Sequence, residues 1–224
     1  MTRSAVNATP PAMKTPVTPG RAEPAAQIKA VALKLFAERG IDGVSVREIA
    51  TAAGQKNHAA LTYHFGSKDR LIRELIVDGA RAIDDRRNAW LDQAEAGGGP
   101  RTVLEVMECL VRTSVSLDAP TCSECYNRFL IGVQMSNRNI LTDALGDRWN
   151  SGYQRCLRHI RRLMADVSPA SLNQRLVFMG AALGGIMAAR ENELADHSRP
   201  HAMWSRDATL SHIAKSIAAL VEQR

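Results

Sequence analysis

Residues 45–65 read SVREIATAAGQKNHAALTYHF and decide the fold, because they contain two short helical patterns joined by a glycine-centred turn. Ser45, with Glu48 three residues later, has the spacing of a capping box, in which each side chain satisfies a free backbone N–H at a helix start. Gly54 ends this helix where the chain needs a positive φ angle, and Asn57 is a good N-cap for the next helix. The segment therefore predicts two helices that meet across a tight turn.

The second of these helices has an inward and an outward side. Leu61 and Phe65 lie one turn apart and are expected to face the core, whereas Ala59 and Tyr63 point nearly opposite. A small and polar outer face, flanked by Thr62, allows a helix to enter a DNA major groove, where methyl groups can touch thymine and a tyrosine can donate to phosphate. An ordinary helical hairpin in a globular core is the alternative interpretation, and the flanking residues decide between the two.

Composition indicates a globular protein of a reducing compartment. The chain has 224 residues, of which 45% are hydrophobic, and this is ample for a core. It has no apolar run of membrane-spanning length and no hydrophobic N-terminal segment, so we expect a cytoplasmic protein with no membrane partner. Its four cysteines all lie beyond residue 108 and are too few for a secreted disulfide framework. We interpret them as thiols.

Positive charge is concentrated near the hairpin. Residues 1–77 contain 11 Lys/Arg and 6 Asp/Glu, whereas residues 78–224 contain 18 Lys/Arg and 17 Asp/Glu. A basic segment suits a polyanion, because neutralising phosphates releases condensed counterions and gives sequence-independent affinity. The charge distribution therefore favours a nucleic acid as the partner of the N-terminal part.

Helical periodicity continues on both sides of the hairpin. Residues 1–23 are rich in Pro, Thr and Ala, so we expect a disordered tail, solvated or in contact with DNA through its basic residues. From Pro24, apolar residues at i, i+3, i+4, i+7 and i+8 predict a helix that Gly40 stops. Ser67 is expected to cap a long helix. The helix dipole disfavours a lysine in the first turn, so Lys68 is easier to understand if a phosphate approaches the helix start. The alternative is an unpaired surface lysine.

Two stretches carry a family resemblance. Residues 28–54 read IKAVALKLFAERGIDGVSVREIATAAG, and residues 59–75 read AALTYHFGSKDRLIREL. Together they resemble the N-terminal domain of TetR-family transcriptional regulators. Five pieces agree in order, namely LFAERG at the end of the first helix, the capped VREIA helix, AG at the turn, the YHF ending, and GSKD at the start of the fourth helix.

The resemblance implies an all-α fold with an N-terminal helix-turn-helix DNA-binding domain over residues 24–70. Residues 71–224 would form a larger helical domain for effector binding and dimerisation. The family pattern implies a homodimeric repressor that reads a palindromic operator and is released from it by a small-molecule effector. It implies no enzyme activity, no cofactor and no metal.

The family's DNA contacts carry over to nine positions. Those implied to touch the DNA backbone are Ser45, Arg47, Tyr63, His64 and Lys68. Those implied to face bases are Asn57, His58, Ala59 and Thr62. Many members have a second aromatic residue where this chain has Thr62, so the base preference at that position is left open.

The remainder of the chain reads as helices from apolar periodicity alone, over about 103–118, 124–136, 140–164 and 169–192, with a last helix around residues 210–220. The larger inward residues of the middle helices are candidates for an effector cavity, and each could instead be ordinary core: Met107, Phe129, Met135, Trp149, Tyr153, Phe178 and Met179. Few aromatics and many Met, Leu and Ala favour an apolar or amphipathic effector.

The last two helices carry the predicted dimer interface. Glycines allow another backbone to come near, and the final helix repeats its apolar residues with spacings of three and four. A four-helix interface across a two-fold axis would bury both helices, and a tight contact within one chain is the alternative. The predicted interface consists of Gly180, Gly184, Leu210, Ile213, Ile217 and Leu220.

Three further patterns leave alternatives open. Cys122 and Cys125 form a C-x-x-C pair, which could sense metal in a zinc site completed by Cys109, Cys156 or a histidine. The pair could instead be an oxidisable dithiol, or two ordinary cysteines. The arginines 155, 158, 161 and 162 could hold an anionic effector such as a thioester, or could form a solvated helix face. A small-molecule binding protein or enzyme with an incidental hairpin is the other class, but no nucleophile elbow, phosphate loop or paired carboxylate supports catalysis.

Overall fold

The computed structural model of the protein describes residues 24–55, 59–115, 125–146 and 148–223, and these are entirely helical apart from turns. This confirms the predicted all-α fold. In chain order the helices are α1 (Pro24–Arg39), α2 (Val46–Ala52), α3 (Ala59–Phe65), α4 (Lys68–Ala96), α5 (Val103–Thr113), α6 (Tyr126–Ser136), α7 (Arg138–Leu145), α8 (Ser151–Leu163), α9 (Pro169–Ala195) and α10 (Asp207–Glu222). None of them is long and apolar enough to cross a membrane.

Helices α1 to α3 pack with the first half of α4 into a small bundle, called the head below. The four helices share one apolar cluster, to which they contribute Ile28, Phe36, Ile49, Leu61, Phe65, Leu71 and Leu75 among others. Leu61 and Phe65 are buried, which confirms their predicted inward placement. Gly54 has a φ of +68°, a conformation that glycine adopts without strain, and it turns the chain out of α2.

Helix α2 begins at the predicted capping box. The Glu48 backbone N donates to Ser45 Oγ at 3.2 Å, and the Ser45 backbone N donates to Glu48 Oε2 at 2.8 Å. Arg39 Nη2 donates to the other oxygen, Glu48 Oε1, at 2.6 Å and so joins the end of α1 to the start of α2. The Ser45 backbone N–H, the Ser45 hydroxyl and the Arg39 guanidinium together lower the pKa of Glu48 to about 2.

Helix α4 connects the head to the rest of the molecule. Its 29 residues extend over roughly 43 Å without interruption, so the predicted domain boundary after residue 70 lies inside a helix. Leu71 and Ile76 belong to the apolar cluster of the head, whereas Leu91 belongs to a second cluster formed with α5, α8, α9 and α10. The helix is therefore shared by two cores.

Helix α6 packs directly on the head. The Tyr126 hydroxyl donates to the Ile76 carbonyl at 2.7 Å, and a Cβ at Gly79 would lie 2.1 Å from the Tyr126 ring. Phe129 stacks on Phe36 of α1 with ring centroids 6.1 Å apart. The apolar cluster of the head thus extends into α6.

Glu191 of α9 is buried and caps the first turn of α6. Its carboxylate accepts hydrogen bonds from the backbone N of Asn127 at 3.1 Å and from the backbone N of Arg128 at 2.8 Å. The Asn127 side-chain amide donates to the same carboxylate at 2.7 Å. Burial raises the pKa of Glu191 against the opposing effect of these hydrogen bonds.

The prediction of one helix over about 140–164 is wrong. Helix α7 ends at Leu145 and α8 begins at Ser151, and Gly146 and Trp149 have positive φ angles of 50° and 59°. The start of α8 is fixed by buried Asp84 of α4, which accepts from the Gly152 backbone N at 2.7 Å and from Ser151 Oγ at 2.8 Å. This long-range cap explains why apolar periodicity missed the break.

The residues predicted for the dimer interface contact other helices of their own chain. Leu210, Ile213 and Ile217 are buried in the second cluster of their own chain, where α10 packs mainly on α5 and α9, and Leu220 is half-buried against the same cluster. The repeat of three and four residues on α10 is therefore filled within the chain, which was the alternative interpretation. Gly180 and Gly184 face inward, because a Cβ added at them would meet Tyr153 and Ile131.

Replacing Glu191 with alanine should lower the free energy of unfolding by roughly 1–3 kcal/mol, because buried N–H groups of α6 would lose their acceptor. Glu191→Gln keeps an acceptor oxygen and should lose less. Urea unfolding followed by circular dichroism measures both, with Asn173→Ala on the exposed side of α9 as the matched control. Unchanged stability of Glu191→Ala would contradict the capping role.

The pKa of Glu48 predicts an acid-dependent loss of stability. Because its pKa is lowered from 4.5 to about 2, the capping box stabilises the head above the ordinary pKa, and this stabilisation is lost as pH falls towards 2. The melting temperatures of wild type and Glu48→Gln should therefore converge between about pH 5 and about pH 2. A difference that stays constant over this range would contradict the lowered pKa of Glu48.

Ser45→Ala should lower the free energy of unfolding by about 1 kcal/mol near neutral pH, because the Glu48 backbone N–H would lose its acceptor.

Candidate nucleic-acid interface and ligand cavity

The outward face of α3 carries the polar side chains predicted to contact DNA. Thr62, Tyr63 and His64 are exposed, and Tyr63 is 84% accessible, while Leu61 and Phe65 fix the opposite side of the helix in the core. The Tyr63 and His64 rings meet edge to face with centroids 5.1 Å apart. A short helix with a fixed inner side thus presents a small, polar and aromatic outer side.

The other predicted DNA contacts have varied placements. Ala59 and Arg47 are exposed, at the start of α3 and on α2 respectively. Ser45 is exposed as well, but its hydroxyl is already part of the capping box. Asn57 and His58 lie outside the described residues.

Lys68 has a partner within the chain, which neither interpretation of it from sequence included. Its Nζ donates to the Ile41 carbonyl in the loop after α1 and lies 5.7 Å from the centroid of the Phe36 ring. The loop carbonyl and the ring face thus stabilise a positive charge in the first turn of α4. Lys68 therefore ties α4 to the rest of the head.

A cavity of about 330 Å³ lies between α4, α6, α9 and the segment from α7 to α8. Its size is at the lower end of small-molecule sites, which span roughly 300–1,000 Å³. Its lining residues are Ala80, Ile83, Arg87, Ser114, Tyr126, Asn127, Leu130, Ile131, Gln134, Leu141, Leu145, Trp149, Asn150, Tyr153, Gly180, Leu183 and Gly184. Among these residues Arg87 alone carries a charge.

Two of the predicted effector residues, Trp149 and Tyr153, line this cavity. The structure places the other five elsewhere. Met107, Phe129 and Met179 are fully buried in the two apolar clusters, whereas Met135 is 79% exposed and Phe178 is exposed on α9. Periodicity placed Met135 and Phe178 inward wrongly, and it does not identify which of the inward residues border a void.

Arg87 is the charged lining residue, and it is not among the residues predicted from the sequence. Its Nε donates to Thr113 Oγ1 at 3.1 Å, and its Nη2 donates to Ser114 Oγ at 3.0 Å. Burial lowers the pKa of Arg87, against the effect of neighbouring Cys156, Cys109, Tyr153 and Asp84. In the sequence it belongs to the run DDRRN over residues 84–88, which is typical of a solvated helix face.

The cysteines and the α8 arginines occupy other parts of the structure. Cys125 lies half-buried at the start of α6, and Cys122 lies outside the described residues. Cys109 and Cys156 are free and buried in the second cluster, where their mutual hydrogen bond and burial raise the pKa of Cys109. No group of three potential metal ligands occurs in the part of the chain that the structure describes.

The arginines of α8 do not form one site. Arg155 Nη2 pairs with Asp92 Oδ1 and with Glu95 Oε2, both at 2.8 Å. Arg162 Nη2 donates to the Pro100 carbonyl at 2.6 Å, while residues 158 and 161 are exposed. Arg155 and Arg162 thus fix α8 to the end of α4 and to the loop after it.

The N-terminal part of the chain matches known proteins in sequence. The family described as bacterial regulatory proteins, tetR family, matches residues 28–75. An HTH-type transcriptional repressor of Mycobacterium tuberculosis is 49% identical over 53 residues, which cover 24% of this chain and 28% of that protein. The HTH-type transcriptional repressor KstR2 of Rhodococcus jostii is 31% identical over 90 residues, which cover 40% of this chain and 42% of that protein. The match thus spans less than half of each relative.

The whole fold matches solved structures. A transcriptional regulator of Saccharomonospora viridis, crystallised in complex with choline, superposes with a TM-score of 0.57 at 19% identity. The superposition covers 91% of this chain and 98% of that one. The likeness at this identity shows the all-helical fold, and the match to the tetR family of bacterial regulatory proteins covers residues 28–75.

Proposed function

We propose that this protein is a sequence-specific DNA-binding transcriptional regulator, acting as a homodimeric repressor that a small-molecule effector releases from a palindromic operator. The outer face of α3 carries the proposal, because a helix fixed by Leu61 and Phe65 presents exposed Thr62, Tyr63 and His64. The excess of positive charge in residues 1–77 supports the same partner. We assign no catalytic role, and we expect the protein to act in the cytoplasm, where its DNA would be.

The proposed contacts divide into two kinds. Thr62 and Ala59, with Asn57 and His58, would face base edges in the major groove, because small side chains allow close approach. Backbone contacts would come from Arg47, Tyr63 and His64, with Ser45 and Lys68 as further members of the proposed set. Because Lys68 also bonds to the loop after α1, its replacement would loosen the head and is a poor test of phosphate binding.

Release requires that the cavity communicate with the head. Arg87 and Ile83 of the cavity wall are on α4, the helix that Leu71 and Leu75 fix in the core of the head. Tyr126 also lines the cavity and bonds to Ile76 of the same helix. An effector with higher affinity for one arrangement of α4 and α6 would shift the population towards that arrangement and change the spacing of two heads on DNA.

The exposed face of α9 is a better candidate for the dimer interface than the buried residues of α10. Val177 is 69% exposed, Phe178 is exposed next to it, and Ala181, Gly185 and Ala189 continue the same face at intervals of four residues. Large exposed apolar residues beside small ones allow two helices to pack closely. We propose that this face pairs with its copy across a two-fold axis.

Selection from a random duplex pool tests DNA recognition. The purified chain should enrich a palindromic sequence, and Thr62→Val should change the preferred bases at one position of each half-site. Arg47→Ala should instead weaken binding to all sequences and reduce the slope of log affinity against log salt by about 1. Arg101→Ala is the control, because it removes the same charge from an exposed position before α5, outside the head. Failure to select any sequence at low salt would refute the proposed function.

Sedimentation equilibrium tests the interface. Ala181→Arg should convert a dimer into a monomer, because a charged side chain would be buried in the centre of the apolar face. Gln154→Arg adds the same charge on an exposed position of α8 and should leave the dimer intact. A dimer that persists in Ala181→Arg would exclude this face of α9.

A further inference from the structure

Arg87 is a cation held against the cavity without a carboxylate partner among the described residues. Its hydrogen bonds go to the neutral hydroxyls of Thr113 and Ser114. The acid whose charge acts on Arg87 is Asp84, and its oxygens accept hydrogen bonds from the Ser151 hydroxyl and from the Gly152 backbone N. A buried charge that lacks a counterion is costly, and an anion brought by a ligand would offset that cost.

Tyr153 provides a second polar group next to this cation. The Arg87 Cζ lies 5.8 Å from the centroid of the Tyr153 ring, and both residues line the cavity. Burial raises the pKa of Tyr153, so its phenol stays protonated and can donate. A Cβ on Gly180 would lie 3.4 Å from the Tyr153 hydroxyl, so glycine leaves open space beside that oxygen.

The rest of the wall is mainly apolar. Leu130 of α6, Leu141 and Leu145 of α7 and Ile83 of α4 line it. A site that combines one cation, one phenol and branched aliphatic side chains suits a ligand with a single anionic head and an apolar tail.

We propose that the cavity binds a small amphipathic carboxylate, with its head on the Arg87 guanidinium and the Tyr153 hydroxyl and its tail among the leucines of α6 and α7. This rests on the proposed function in taking the cavity as the effector site, and it adds the chemical class of the effector. Guanidinium recognises carboxylate through paired N–H donors, which accounts for an arginine at this position.

Cationic effectors fit this cavity poorly, although the regulator of Saccharomonospora viridis was crystallised with choline. Quaternary ammonium ligands bind to the faces of aromatic rings. Here the Trp149 ring has Arg81 Cζ 5.1 Å from its centroid, and the Tyr153 ring has Arg87 against it. The Trp149 and Tyr153 rings are therefore each paired with a cation, whose charge would repel another one.

Titration of the full chain with matched probes tests the proposed class. Octanoate, 1-octanol and octylamine share one tail and differ in the head, 4-phenylbutyrate offers a bulkier tail, and choline represents the cationic class. Binding is measured by calorimetry and by the fluorescence of Trp149, which lines the cavity, in a chain carrying Trp90→Phe and Trp204→Phe. At least one of the two carboxylates should bind. Octanoate should bind more tightly than 1-octanol, by about ten-fold or more. Octylamine and choline should show no saturable binding.

Two variants locate the head group. Arg87→Gln should reduce affinity for the bound carboxylate by about ten-fold to 100-fold while leaving affinity for 1-octanol unchanged, and Arg87→Lys should recover part of the loss. Tyr153→Phe, which keeps the ring, should reduce carboxylate affinity several-fold and covers the case in which Arg87→Gln fails to fold. Arg158→Gln removes the same charge from the exposed face of α8 and should have no effect.

Binding is measured without DNA, so its outcome is independent of whether the chain selects an operator. Equal affinity for octanoate and 1-octanol, absence of binding by both carboxylates, or a loss in Arg158→Gln instead of Arg87→Gln would overturn the proposal. A chain that binds carboxylate through Arg87 but selects no duplex would instead refute only the proposed function.

Discussion

The contact between Tyr126 and Gly79 fixes α6 to the middle of α4, the helix that the two apolar clusters share. Any side chain at Gly79 would collide with the tyrosine ring, and the hydroxyl of that ring is fixed by the Ile76 carbonyl. Tyr126 belongs to the apolar cluster of the head, and α4 continues from this contact into the second cluster. Packed interfaces of this kind change between discrete arrangements rather than deforming continuously.

This contact connects the cavity to α3 in a small number of steps. Tyr126 lines the cavity, and one turn later Phe129 stacks on Phe36 of α1, whose core also holds α3. The start of α6 is fixed in turn by Glu191 of α9, the helix whose other face we propose for dimerisation. An effector, a second subunit and DNA would therefore all act on elements that touch α6 or α4, and any coupling among them is reciprocal.

The head was predictable from sequence because its signals are local. The capping box at Ser45, the turn at Gly54 and the inward pair Leu61 and Phe65 each depend on residues a few positions apart, and the structure confirms them. For α5 to α10, the sequence predicted that the segments are helical but not how they are arranged. Its break at Trp149 depends on Asp84, more than 60 residues earlier in the chain, and no periodicity within α7 and α8 contains that information.

Periodicity also leaves the identity of the packing partner open. The apolar repeat of α10 required a partner helix, but a repeat is the same whether that helix belongs to the same chain or to another. Arg87 is the converse case, since it lies seven residues after Ala80 and four before Leu91, on the inward face of α4. A charge at an inward position is a detectable anomaly in a helical pattern. Arg155 pairs with an acid, whereas Arg87 donates to hydroxyls. Which of the two occurs depends on neighbours that only the tertiary fold brings together.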